Sequence, residues 1–188
     1  MLRTNQLFLN YLKDLYEKQE RKEDIIIRSF SKGERILTQH ENPSKIMLIK
    51  EGITKCFLVE ENDKDYIVEF LGKGEIIGEI EQIRNIPCLC SIEALTDVTV
   101  YAVAIPYFKS LIKNDLSLNN LLLDAFAERI VNTSKRASYQ QLYAAENTLA
   151  QLLELQKEES IEISKEDMAA YLGITVRSLN RTLKNLDK

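Results

Sequence analysis

The chain has 188 residues, 25 of them basic and 29 acidic, for a formal charge of −4, and 45% of its residues are hydrophobic. That length carries one large domain or two modest ones with real cores, and the balance of apolar and charged residues excludes collagen-like and wholly disordered chains. No apolar run approaches the roughly 20 residues a membrane span needs, and Met1 to Tyr16 carries charges where a secretory signal would be apolar. The expected location is the cytoplasm, without membrane attachment. There the odd set Cys56, Cys88 and Cys90 stays reduced. One histidine, His40, leaves nothing for a His-rich metal site or for His-based catalysis, so neither a metal nor a cofactor is expected.

In chain order, Leu7, Phe8, Tyr11, Leu12, Leu15 and Tyr16 recur at helical spacing and predict a short amphipathic helix. Short β-rich runs follow at Ile25 to Phe30, Arg35 to Thr38, Ile46 to Ile49, Ile53 to Val59, Tyr66 to Phe70, Cys88 to Leu95 and Val98 to Ile105. Gly33, Gly52, Gly72, Gly74 and Gly78 punctuate them, with turn clusters at His40-Glu41-Asn42-Pro43 and Glu61-Asn62-Asp63. Strands this short at this spacing predict a sandwich or roll. Cys88 and Cys90, two apart on a predicted strand, share a face that Cys56 can approach. A metal or redox role is one reading and ordinary buried cysteines the other.

From Pro106 the composition changes to Leu, Ala, Asn, Gln, Lys and Glu, with Gly173 the one remaining glycine, which favours helix. Leu123, Phe126, Ile130, Thr133 and Ala137 step by three, four, three and four, the track of a coiled-coil seam. Leu118, Leu121, Leu122 and Ala125 give the same helix a second apolar face. Such a helix packs on its own domain and on another surface. A subunit interface is expected, and a core helix within one domain is the alternative.

The last residues carry the most specific pattern. Ser164-Lys165-Glu166-Asp167 starts a helix with a hydroxyl cap and acidic residues near the positive end of the dipole. Met168, Ala169 and Leu172 face inward, Gly173 stops the helix, Ile174 plugs the corner, and Thr175 caps a second helix from Val176. Ala169, Gly173 and Leu179 have the spacing of a helix-turn-helix, where two helices cross closely. Val176, Leu179, Leu183 and Leu186 form one face of the second helix, while Arg177, Arg181, Lys184 and Lys188 form the other. A basic stripe with Thr175 and Ser178 at its start suits the major groove of double-stranded DNA, where arginine binds guanine edges and lysine pairs with phosphates. A solvated face on a small bundle is the competing explanation. The stripe also resolves the net charge, since residues 174–188 carry a local +3 and residues 1–173 carry −7.

The order of roll, long helix and helix-turn-helix resembles the Crp/Fnr family of bacterial transcription regulators over nearly the whole chain. Lys32-Gly33-Glu34, Ile49-Lys50-Glu51-Gly52-Ile53, Leu71-Gly72-Lys73-Gly74-Glu75 and Ile77-Gly78-Glu79 are similar to successive turns of the family's cyclic-nucleotide-type roll, and Ile174 to Leu186 to its recognition helix. The resemblance implies an α+β chain with three parts. These are a jelly-roll effector domain with its N-terminal helix over 1–112, a dimerisation helix over 113–141, and a DNA-binding helix-turn-helix over 142–188 that ends before the family's β-hairpin wing. It implies a homodimer that meets RNA polymerase at an operator and answers to a small-molecule effector of unspecified identity. Thr175, Arg177, Ser178, Arg181 and Lys184 are then the DNA-contacting residues.

The effector pocket departs from the family. Gly78 and Glu79 match the Gly-Glu pair that meets a ribose hydroxyl, but the Arg-Ser pair that holds the cyclic phosphate aligns with Cys88 and Leu89. A buried phosphate without its charge partner is costly, so tight cAMP or cGMP binding is expected to be absent. Thr133 and Ser134 match the interface-helix positions that contact adenine in cAMP-responsive members, and Arg84 lies in the neighbouring loop. An iron–sulfur sensor needs four cysteines and a haem sensor an axial histidine, which three cysteines and His40 do not supply. Two other functions compete: a small-molecule or nucleotide sensor acting through protein partners with little DNA binding, and a cupin-type metalloenzyme. The second lacks the histidines cupin metals need, and the chain shows no nucleophile–base set, so no enzyme is expected.

Overall fold

The computed structural model describes residues 2–60, 64–142 and 145–186, so the expected turn at Glu61-Asn62-Asp63 and the stripe residue Lys188 lie outside the described residues. A two-residue strand β1 (Leu2–Arg3) precedes α1 (Gln6–Lys18), where the Asn5 side chain accepts from the Phe8 N–H as an N-cap. Six strands follow: β2 (Ile25–Phe30), β3 (Arg35–Leu37), β4 (Lys45–Glu51), β5 (Thr54–Val59), β6 (Asp65–Leu71) and β7 (Ile76–Ile77). The short helix α2 (Glu79–Arg84) leads to β8 (Ser91–Ala94) and β9 (Val98–Ala104). Then come α3 (Ile105–Asn114), α4 (Leu116–Leu142), α5 (Ala145–Glu158), α6 (Lys165–Leu172) and α7 (Val176–Leu186).

The strands form two sheets, ordered β1-β6-β5-β8-β3 and β2-β9-β4-β7. Side-chain alternation on β9 shows why both are needed. Val98, Val100 and Ala102 face the other sheet, meeting Leu37, Cys56 and Ile92 in a core between the layers. Tyr101 and Val103 point the opposite way, into a second core with Phe8, Leu12, Phe108, Leu118 and Leu122 from α1, α3 and α4. Both faces of β9 are covered, so its sequence is apolar almost throughout instead of alternating with polar residues. A third core lies on the outer face of the other sheet. There Phe57, Ile67 and Phe70 meet Leu149 and Leu152 of α5, Met168 and Tyr171 of α6, and Leu179 of α7.

The mixed α+β class and the roll of short strands match the sequence reading. Three details differ. The strand expected from Cys88 begins only at Ser91, because the backbone at Cys88 is engaged elsewhere: its N–H donates to Glu41 O and its carbonyl accepts from the His40 N–H, both at 2.8 Å. Cys88 and Cys90 therefore share no strand face. The expected break between residues 112 and 113 falls inside α3. The chain turns instead at Asp115, whose Oδ1 accepts from the N–H groups of Ser117 and Leu118. Finally, the N-terminus is stitched into the roll by β1, which pairs in parallel with β6. That stitch relies on Gly74, at φ 83°, where a Cβ would lie 1.8 Å from Asn5 O.

Candidate functional site

The roll cavity is built around the turn into α2. Gly78 takes a left-handed conformation at φ 88°, which starts α2 at Glu79 and turns that carboxylate inward, to 1% exposure. Its partner arrives from α4: Arg129 Nη1 donates to Glu79 Oε1 at 2.7 Å, and Nη2 donates to Ile76 O at 3.4 Å. Arg129 also lies 3.9 Å from Glu75 and 4.0 Å from Glu69. Arg3 on β1 closes the cluster, bonding Glu69 at 2.5 Å and pairing with Glu75. Three carboxylates therefore face two guanidinium groups in a low-dielectric interior.

Burial pushes the Glu75 carboxyl up to about 7, against the pull of Arg3 and Arg129. Burial raises Glu79 as well, with Arg129 opposing. At Arg129 itself burial disfavours the charge, but Glu79 and Glu69 outweigh it and hold the guanidinium above its usual value. Arg3, Glu69 and Arg129 carry no local sequence signal, whereas Glu75 closes the Leu71–Glu75 roll turn and Glu79 belongs to the Gly78-Glu79 pair.

The effector residues expected from sequence divide. Gly78, Glu79, Leu89 and Thr133 line a cavity of about 150 Å³, together with Cys56, Cys90 and Arg129. Cys88 does not line it; it is packed in the core between the sheets, where burial pushes its thiol up to about 11. Ser134 lines a neighbouring groove of about 530 Å³ walled by Ile83, Phe126 and Ile130, which also takes in Arg84 and the outer side of Arg129.

The long helix shows two faces. Leu118, Leu122 and Ala125 are buried against the roll, and Phe126 is half-buried beside them. Leu123 and Ile130 are each 66% exposed, and Thr133 and Ala137 on the same track are exposed as well. Beside the end of that track, Arg136 reaches back. Its Nη2 donates to Ile67 O and Tyr171 O, both at 2.8 Å, its Nη1 bonds Val68 O, and its guanidinium lies 4.0 Å from the centre of the Tyr171 ring.

Tyr171 in turn stacks on Phe70, with ring centres 5.2 Å apart. Lys55 Nζ pairs with Asp167 at 2.7 Å and with Glu93 at 3.0 Å. Helix α6 is thus held against β5 and β6 by an aromatic stack, an arginine and a lysine.

The caps of the two C-terminal helices form as their residue types require. Ser164 Oγ accepts from the Asp167 N–H at 3.0 Å, Gly173 stops α6 at φ 67°, and Thr175 Oγ1 accepts from the Ser178 N–H at 3.2 Å. Leu179 and Thr182 are buried under α7, while Arg177, Arg181 and Lys184 are exposed on its opposite side. Thr175 and Ser178 line a cleft of about 840 Å³ whose other wall includes Glu60 and Asp65 of the roll.

Comparison with known proteins agrees with this architecture. Residues 27–115 match the cyclic nucleotide-binding domain family. The cAMP-dependent protein kinase type II regulatory subunit of Drosophila melanogaster is 24% identical over 117 residues, 62% of this chain. The chain spans about a third, 31%, of the length of that curated relative. Among solved structures, the c-di-GMP-responsive global regulator CLP of Xanthomonas campestris superposes with a TM-score of 0.74 at 16% identity, covering 88% of this chain and 87% of that one. A CRP/FNR-family transcriptional regulator from Thermus thermophilus gives 0.72 at 18% identity, covering 86% of each chain. No described helix is long and apolar enough to cross a membrane. Residues 27–115 thus resemble a cyclic nucleotide-binding domain, and the chain shares the fold of solved transcription regulators, one of them of the CRP/FNR family.

Proposed function

We propose that this chain is a homodimeric, sequence-specific DNA-binding transcription regulator of the Crp/Fnr type. It would work in the cytoplasm with RNA polymerase and answer to an effector other than cAMP or cGMP. The observation that carries the reading is α7. Its Leu179 side is anchored in a core shared with α6 and the roll, its start is capped by Thr175, and Arg177, Arg181 and Lys184 project from the free side. A rigid helix with that polarity meets the requirements of a major-groove reading helix, and two copies in a dimer would read two half-sites. Dimerisation is supported by the exposed track of Leu123, Ile130, Thr133 and Ala137 beside the half-buried Phe126, since apolar side chains at seam spacing on an open helix face call for a partner helix.

The cavity argues against a cyclic nucleotide. Glu79, the ribose-type carboxylate, is committed to Arg129, and the surrounding carboxylates outnumber the guanidinium groups. A phosphate entering there would lose its hydration, and among the described lining residues Arg129, already paired with Glu79, is the one cation to meet it.

The test is selection of genomic fragments on the full chain, followed by affinity measurement on the enriched site. Arg181→Ala is expected to weaken specific binding by about 1–3 kcal/mol if that residue reads a base. Equal loss on cognate and random DNA assigns it to phosphate, and an absence of enriched fragments sinks the DNA-binding reading. Calorimetric titration with cAMP or cGMP is expected to show no submicromolar site.

A further inference from the structure

We propose that Cys56 and Cys90 form a dithiol that hydroperoxides close to an intramolecular disulfide inside the roll cavity. The two reach the same cavity from different elements, Cys56 from β5 and Cys90 from the bend ahead of β8. Register explains the encounter. Cys56 pairs with Ile92 across the β5–β8 ladder, and Cys90 lies two residues before Ile92, at the diagonal position. The two thiols interact there. This contact holds Cys90 below the ordinary thiol value and, together with burial, holds Cys56 above it.

The two sulfurs divide the chemistry. Cys90 is part-exposed and carries more thiolate character, so it meets the peroxide, whereas Cys56 is 7% exposed and waits behind it. The Cys90 thiolate attacks the terminal peroxide oxygen; an S–O bond forms, the O–O bond breaks, and the departing hydroxide, or the alkoxide of an organic hydroperoxide, takes a proton and leaves as water or alcohol. The Cys56 sulfur then attacks the Cys90 sulfur of the sulfenic acid. The S–S bond forms, the S–O bond breaks, and the oxygen leaves as water carrying the Cys56 proton. Two thiols are oxidised by two electrons and one hydroperoxide is reduced. Cys88 stays out of this chemistry, being buried in the core between the sheets and away from the cavity wall. The bridge lies beside Arg129, the α4 residue that enters the cavity.

The experiment treats the full-length chain with a few equivalents of hydrogen peroxide, blocks free thiols, digests with trypsin without reduction, and reads the peptides by mass spectrometry. Cys88 and Cys90 share one tryptic peptide, running from Asn85 to Lys109, so the assignment uses Cys88→Ser. The expected result is a Cys56–Cys90 linked peptide in both the wild type and Cys88→Ser, two thiols lost per chain, and full recovery with dithiothreitol. Cys90→Ser is expected to leave Cys56 unmodified. Two free thiols in oxidised Cys88→Ser would overturn the proposal. So would Cys90 advancing to sulfinic acid while Cys56 stays free, or a Cys88–Cys90 bridge within the single wild-type peptide.

Discussion

In the roll, Arg3, Glu75 and Glu79 are buried in one cluster with the part-buried Glu69 and Arg129, whereas α7 holds Arg177, Arg181 and Lys184 on an exposed face over an apolar underside. The first arrangement spends its charges on internal geometry, because each buried carboxylate is tolerable only while a guanidinium faces it. The second keeps its charges hydrated, so removing one leaves nothing unpaired inside the protein. The same residue types therefore do different work. In the roll they fix how α4 sits on the sheets, and on α7 they are free to meet an outside partner.

The hardest test of this contrast is Arg129→Ala. It leaves Glu79 and Glu75 buried with only Arg3 nearby, and breaking a buried pair from one side destabilises by about 3–5 kcal/mol. Urea denaturation should show that loss, and Arg129→Ala combined with Glu79→Gln should recover part of it. A change below about 1 kcal/mol would mean that the cluster is hydrated and that the contrast with α7 is false.

The next largest effect belongs to the contact between the two regions. Tyr171 is buried between Phe70 and Arg136, and truncating a buried aromatic removes transfer energy and leaves a cavity. Tyr171→Ala is expected to cost about 3 kcal/mol and to expose the α5–α6 segment to limited proteolysis while the roll stays resistant. Loss of both at once would show that roll and C-terminal helices unfold as one unit.

These two residues also mark where sequence reasoning stopped. Local patterns carried β2 and β9, the long helix α4, and the Ser164, Gly173 and Thr175 positions, because each depends on neighbours within a few residues: alternation, helical spacing or a cap. The ion cluster depends on residues 3, 69, 75, 79 and 129 converging through the fold, and a lone arginine on a helix reads as solvated. Tyr171 was legible as helical but not as the stacking partner of a strand 101 residues away. Cys88 and Leu89 together align with the phosphate-holding pair, yet Cys88, whose backbone binds the His40–Glu41 turn, packs into the core, while Leu89 lines the cavity and stays largely exposed.

The cluster should also show itself in pH. Glu75 is raised from an ordinary 4.5 to about 7, chiefly by burial. Below pH 4.5 folded and unfolded chains both hold the proton. Between 4.5 and 7 the unfolded chain releases it while the folded chain retains it, so folding stability falls as pH rises, by on the order of 2 kcal/mol. Glu75→Gln removes this titration. The stability of the variant relative to wild type should therefore climb across that window and level off above it, and a flat difference would place Glu75 in a solvated setting.

The smallest expected effect is on α7, and it is the informative counterpart of Arg129→Ala. Lys184→Ala deletes an exposed charge with no buried partner, so stability should change by less than about 0.5 kcal/mol. If Lys184 pairs with phosphate, its loss should lower the salt dependence of DNA binding by about one unit of slope and weaken cognate and random duplexes alike. A stability loss comparable with that of Arg129→Ala would mean that the stripe is structural. The two substitutions each remove one positive charge from a helix. The difference between their outcomes therefore isolates burial as the variable, which neither measurement could do alone.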